Sequence, residues 1–185
     1  MTKYYLRLLL LFGAVIGFFA IVGSLLPRSY SFVTEIQIAG DQQEIFHKIN
    51  SLRQWQSWSK QWNPDEIDSL KIRYNGISAG VDAAQSWSDI RGSGKLWITQ
   101  SNPFDLIEYE MEFANFPKMT SQIELEPINQ EVRVRWSSQG KLPGGPFYGY
   151  FAAFFSSQMR SEYERSLKSL KLQIESHEPA VQDHS

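Results

Sequence analysis

Hydrophobic and polar positions follow three different rhythms along this chain. Leu8 to Leu26 is apolar throughout, with Ser24 the one strongly polar residue. A helix of roughly 20 apolar residues is what crossing a bilayer requires, so this run predicts an N-terminal membrane anchor over residues 1–28. From Tyr30 to Ser138 the rhythm is mostly two. From Phe147 to Ile174 it is three and four, and no proline interrupts it.

The middle region resolves into short elements. Tyr30 to Ala39 alternates enough to read as a strand, and Gly40-Asp41 is a turn. Asp41, with Glu44 three residues on, offers a helix N-cap. Ile45, Phe46, Ile49 and Leu52 then recur at helical spacing. A second helical piece carries Trp55 and Trp58 and stops before Asn63-Pro64. Period two resumes with Leu70, Ile72 and Tyr74, and Asn75-Gly76 turns the chain. Ala83, Gln85 and Trp87 share one face of the next strand. A turn is expected at Arg91-Gly92-Ser93-Gly94, followed by a strand with Leu96 and Ile98 inward and Trp97 outward. The clearest strand is Ile107–Phe113, where Ile107, Tyr109, Met111 and Phe113 oppose Glu108, Glu110 and Glu112. Met119–Glu126 and Glu131–Ser138 complete the set, the latter placing Val132, Val134 and Trp136 against Arg133 and Arg135. Such alternation suits antiparallel strands with one wet face, with Glu and Arg meeting across strands outside. In the final helix Phe151, Phe154, Phe155, Met159, Tyr163, Leu167, Leu170 and Ile174 form one apolar stripe. The order is strand, two short helices, six strands, long helix. A sheet dry on one face needs a cover, and only the last helix is long enough. The expected fold is α+β: a curved antiparallel sheet wrapped on the C-terminal helix over residues 29–176. A polar tail, 177–185, frays.

Composition narrows the function. Lys3, Arg7 and Arg28 lie in the anchor or its flank, which leaves 15 basic against 20 acidic residues in the rest, a net of −5. Nucleic acid as a partner needs clustered cations, and so does an anionic membrane surface; this balance argues against both. Lys3, Arg7 and the free amino group precede the apolar run. The positive-inside bias then places the domain on the non-cytoplasmic side, periplasmic or extracellular. A cleaved signal peptide is the rival reading of the same segment. Val22-Gly23-Ser24 is its nearest small-residue site, but Leu25-Leu26 carry the apolar run past it. Cysteine is absent, so no disulfide, thiolate nucleophile or cysteine metal site exists.

Candidate chemistry is sparse. His47, His177 and His184 have no metal-site spacing. The Glu108, Glu110, Glu112 row and the Asp65, Glu66, Asp68 cluster read as solvated charge. Gly92-Ser93-Gly94 is no nucleophile elbow, since no strand-to-helix turn surrounds it. No metal or cofactor is expected. The remaining signal is aromatic: residues Phe, Trp and Tyr make up 14% of the chain, including six tryptophans. Tyr74, Trp87, Tyr109, Met111, Trp136, Phe151, Phe155 and Met159 all fall on inward faces. They are candidates either for a packed core or for a ligand cavity between sheet and helix, where tyrosine and tryptophan bring polar atoms that need partners.

The element order resembles the helix-grip fold of the START and Bet v 1-like (SRPBCC) superfamily. Within it the chain is similar to the polyketide cyclase/dehydrase and lipid-transport group. The residues that carry the likeness are Trp55-x-x-Trp58, Tyr74-Asn75-Gly76, Gly80-Val81-Asp82-Ala83 with Trp87, and Gly92-x-Gly94-x-Leu96-x-Ile98. Leu125-x-Pro127, the strand with Trp136, and Leu167-Lys168-x-Leu170-Lys171 add to it, over Ser31 to Leu172. Asp82 stands where the group often has a small residue. Taken with the apolar run and the sparse inward chemistry, the likeness gives as the leading expectation a membrane-tethered, non-catalytic domain that binds a hydrophobic small molecule or lipid. It also permits a cyclase- or dehydrase-like enzyme, for which Tyr74 and Tyr109 are the inward acid–base candidates. A third reading is a ligand-free interaction module.

Overall fold

The structure, a computed structural model, describes residues 2–90, 92–114 and 116–176. Its elements run α1 (Thr2–Leu25), β1 (Ser29–Ala39), α2 (Gln42–Asn50), α3 (Trp55–Trp58), a 3-10 turn (Lys60–Trp62), then six strands. These are β2 (Lys71–Tyr74), β3 (Ala84–Asp89), β4 (Gly92–Asn102), β5 (Leu106–Phe113), β6 (Met119–Ile128) and β7 (Glu131–Lys141), and α4 (Tyr148–Glu175) closes the chain. The tail expected to fray, with His177 and His184, lies outside the described residues.

The strands form one seven-stranded antiparallel sheet in the order β1-β7-β6-β5-β4-β3-β2. It is an open sheet, and α2 and α3 carry the chain from one edge strand to the other. Glu124 and Glu126 sit opposite Arg135 and Arg133 across β6 and β7, and Arg133 reaches Glu126 at 2.7 Å. On the same wet face, Trp97 lies between the ammonium groups of Lys95 and Lys118, at 5.2 and 5.3 Å.

Local chemistry sets the element ends. The Asp41 side chain accepts from Gln43 N at 2.8 Å and caps α2. The last carbonyls of a helix lack partners within it. Trp55 Nε1 donates to Ile49 O at 2.7 Å and Trp58 Nε1 to Lys48 O at 3.2 Å, so the two tryptophans cap α2 from α3. Asp82 takes a left-handed φ of 66°, which aspartate tolerates better than bulky residues do, and Asn75 Nδ2 holds its carbonyl at 2.8 Å. The turn expected at 91–94 instead ends at Gly92, because Asp89 pairs with Gly92 and Trp87 with Gly94 inside the ladder. Gly94 is there for space: a Cβ would overlap the Trp87 ring and the Glu112 carbonyl. The exposed edge of β1 is covered by the end of α4. Lys171 Nζ donates to Gln37 O at 2.8 Å, and Ala39 N donates to Glu175 Oε1 at 3.0 Å. Covering an edge in this way blocks pairing with other chains.

One sequence expectation changes and one is met in its coarser form. The apolar stripe of α4 is buried over its second half, at Tyr163, Leu167, Leu170 and Ile174, but not over its first. Phe151 is 39% exposed and Phe154 59%, because this half stands over an open cleft and packs beside α1. Second, α1 is long and apolar enough to cross a membrane, and its side chains mostly lie exposed.

Candidate functional site

Between sheet and α4 the interior divides into a sealed part and an open part. The sealed part is aromatic. The Trp136 ring stacks on Tyr163 at 3.8 Å between centroids, and Trp55 and Trp58 meet it edge-on at 5.8 and 5.7 Å. Their polar atoms satisfy one another. Trp136 Nε1 donates to Tyr109 Oη at 3.0 Å, the Tyr109 and Tyr163 hydroxyls share a bond of 3.2 Å, and Ser138 Oγ donates to Tyr163 at 3.2 Å. Ser121 and Ser138 hydroxyls meet at 2.6 Å. Burial pushes the Tyr109 phenol well above its ordinary pKa and raises that of Tyr163, so both are neutral at physiological pH.

The open part is a cleft of about 450 Å³ that α3 and the end of α4 leave uncovered. Its floor is the inner face of the sheet: Trp87 from β3, Met111 and Phe113 from β5, Met119 from β6 and Tyr30 from β1. Its roof is Phe151, Phe155 and Met159 of α4, and Trp62 of the 3-10 turn closes one side. The walls are braced by ring contacts: Trp62 meets Trp87 at 4.7 Å, Trp87 stacks on Phe113 at 6.1 Å, and Tyr30 meets Phe155 at 4.9 Å. Lys141 lines the cleft near the start of β1, and the ion pairs lie at the end away from α1. Lys60 pairs with Glu66 at 2.7 Å, and Arg165 pairs with Glu162. The Lys60 ammonium, by its hydrogen bond and its charge, holds the Glu66 carboxyl below its usual pKa. At the opposite end burial, helped by Tyr163, pushes the Tyr30 phenol up to about 12. Gln61 also lines the cleft, with its buried amide against the Tyr163 hydroxyl of the sealed part.

The expected positions therefore separate. Trp87, Met111, Phe151, Phe155 and Met159 line the cleft together. Tyr109 and Trp136 share the inward face but lie in the sealed core, because α3 brings two tryptophans over them. Tyr74 is elsewhere, on the edge strand β2, with the Arg53 guanidinium 4.5 Å over its ring and its hydroxyl accepting from Gln56 Nε2 at 2.9 Å. Neither tyrosine offered as an acid–base candidate borders the cleft. Sequence reasoning missed Tyr30, Trp62, Phe116, Met119 and Leu142 as lining residues. Met119 had the signal, by its alternation within β6. Trp62 had none, since a one-turn element has no period.

Comparison with known proteins agrees with this architecture. A family model described as polyketide cyclase/dehydrase and lipid transport matches residues 29–175. No curated protein sequence matches the chain. Among solved structures, protein MLL2253 from Mesorhizobium loti aligns with a TM-score of 0.59 at 10% identity, covering 80% of this chain and 99% of that one. Protein CV1439 from Chromobacterium violaceum gives 0.57 at 13% identity, over 78% and 96%. The Aha1 dimer from Colwellia psychrerythraea gives 0.57 at 14% identity, also over 78% and 96%. At such identities these neighbours speak for the fold. The family match spans most of the chain and every element from β1 to α4, and the chain belongs to the polyketide cyclase/dehydrase and lipid-transport family.

Proposed function

We propose that this protein binds a hydrophobic small molecule or lipid in the cleft under α4, without chemical turnover, while α1 tethers it to a membrane as a single span. The carrying observation is the cleft itself: an aromatic- and methionine-lined space of about 450 Å³, within the range of small-molecule sites. Ring contacts brace the walls, and a braced wall lowers the ordering cost of binding. Burying ~300 Å² of apolar ligand surface would contribute at most about 7 kcal/mol. Association costs offset part of that, so micromolar affinity is the scale expected.

Binding is favoured over catalysis by the state of the polar groups. Glu66 and Glu162 are each engaged by a cation. Tyr30, with its pKa pushed up to about 12, remains a neutral phenol that can donate a hydrogen bond but cannot serve as a base near pH 7. A ligand with an apolar body and one acceptor group suits this lining. The bias of Lys3 and Arg7 against Arg28 supports a domain on the non-cytoplasmic side. Protease added from the cytoplasmic side should leave it intact.

The test is a comparison of bound lipophile between wild type and Met111→Trp, which fills the cleft from its floor. Each full-length protein is extracted from its membrane, examined by native mass spectrometry, and its organic extract is quantified. The wild type should carry a discrete lipophile that the filled variant lacks. An equal load in both would mean unspecific lipid, and an empty wild type would end the binding reading.

A further inference from the structure

The first half of α4 is chemically unlike the rest of the domain. Between Lys141 and Arg160 no residue is charged, although charged residues make up 21% of the chain. Within this stretch Phe147 is 57% exposed, Phe151 39% and Phe154 59%. A helix facing water would carry ion pairs here, as the second half of α4 does with Arg165–Glu162 and Lys171–Glu175. Isolated exposed rings are ordinary, whereas several on one uncharged segment mark a contact surface.

The position of α1 says what the contact is. Tyr150 Oη donates to Phe19 O at 3.0 Å, and the Tyr150 and Phe19 rings meet at 6.4 Å. The helices touch through glycine. A Cβ on Gly149 would come within 2.5 Å of Leu26 Cβ and 2.7 Å of Gly23 O, and one on Gly23 would overlap the Pro146 carbonyl. Phe19 lies six residues before the end of α1, roughly 9 Å along its axis at 1.5 Å per residue. The apolar run of α1 barely matches the hydrocarbon thickness, so all of it is needed to span. A helix hydrogen-bonded at Phe19 is therefore held at the depth of the membrane surface or below.

We propose that the uncharged first half of α4 lies in the surface layer of the same bilayer that holds α1, presenting the Phe151–Phe155 end of the cleft to lipid. This rests on the reading of α1 as a membrane helix and of the cleft as a lipophile site. The occupant of the exposed face is lipid, because the neighbouring helix it packs on is itself lipid-facing and because aromatic rings such as Tyr148 and Tyr150 on the same segment suit the membrane–water interface. A lipophile would then pass between bilayer and cleft without crossing water. The polarity of the cleft fits this direction, with its ion pairs at the far end.

The chain lacks cysteine, so single cysteines report single sites. Full-length Phe154→Cys, Phe147→Cys, Leu9→Cys and Leu172→Cys, each confirmed intact by mass, are labelled with an environment-sensitive fluorophore. They are reconstituted in phosphatidylcholine vesicles with and without doxyl-labelled lipid. The labels at Phe147 and Phe154 should be quenched to a degree comparable with Leu9, while Leu172, exposed at the far end of α4, should not respond. Quenching at Leu9 alone would overturn the proposal and leave the tether standing. A blue-shifted but unquenched label at Phe154 would point to a second copy of the chain and overturn it equally. No quenching at Leu9 would remove the tether and the proposal together, while the lipophile test above would still decide the cleft.

Discussion

Trp136→Ala tests whether the aromatic interior is sealed where the structure seals it. Trp136 has no exposed surface. Its ring stacks on Tyr163, touches Trp55 and Trp58, and donates to Tyr109. A buried tryptophan removes about 150–250 Å² from water, worth roughly 4–6 kcal/mol at 25 cal/mol per Å². Measured aromatic truncations cost about 3–5 kcal/mol. The lost hydrogen bond adds about 1 kcal/mol, softened because Tyr109 keeps Tyr163 as a partner. About 4–5 kcal/mol is a large share of a domain stability of roughly 5–15 kcal/mol. With a urea slope of about 2 kcal/mol/M, the midpoint should fall by about 2 M. The assay is urea unfolding of the full chain in non-ionic micelles, followed by near-ultraviolet circular dichroism, to which α1, lacking tryptophan, contributes little. Trp136→Phe should retain most of the packing and lose about 1–2 kcal/mol, so a folded comparison exists even if the alanine variant does not fold. A midpoint drop below about 0.5 M for the alanine variant, at unchanged slope, would show that Trp136 faces open space and would refute the division into core and cleft.

Further outcomes follow from the same packing. Gln85 is buried and neither end of its amide has a partner; Gln85→Met should raise stability by about 1–2 kcal/mol, and a loss of that size in thermal unfolding would show that the amide is satisfied after all. Burial raises the phenols of Tyr30, Tyr109 and Tyr163, whereas unfolded tyrosine ionises near pH 10. Their contribution is therefore complete below pH 10 and is lost as pH rises through the raised folded values, which for Tyr30 is about 12; the phenolate absorbance of three of the eight tyrosines should appear only with unfolding, and ionisation of all eight near pH 10 in folded protein would contradict it. Deleting residues 146–185 exposes the inner sheet face and should abolish cooperative unfolding, so an unchanged urea midpoint would overturn the role of α4.

Most of the fold was legible because period and turn chemistry act locally. The alternation in Ile107–Phe113 fixed both the strand and its inward face, and Asp41 marked the start of α2 through a bond to its own near neighbour. The β3–β4 turn was misplaced for an equally physical reason. Gly92 and Gly94 look like turn residues, yet Gly94 is a strand residue that makes room for Trp87 across the ladder. A clearance between distant side chains leaves no mark in local sequence. The site was half legible for the same reason. Period shows that Trp87 and Tyr109 both point inward, but not that Trp55 will lie 5.2 Å from Tyr109 while Trp87 borders open space.

The stripe along α4 carries the same ambiguity to its functional end. Phe151, Phe154, Phe155, Met159, Tyr163 and Leu167 continue one helical pattern, and nothing in the spacing distinguishes them. The difference is in what accompanies the stripe. From Arg160 onward charged residues flank it, and there the helix seals a core with its other face in water. Before Arg160 the flanking positions are serine, glutamine, alanine, glycine, tyrosine and phenylalanine, and there the helix roofs a cleft with Phe151, Phe155 and Met159 and touches α1 through Gly149 and Tyr150. An amphipathic helix needs polar residues only where water is its second neighbour. The absence of charged residues over the first half of α4 is the sequence-level trace of a helix that packs beside α1. That is why the glycine contact at Gly23 and Gly149, rather than the apolar stripe itself, identifies what the neighbour is.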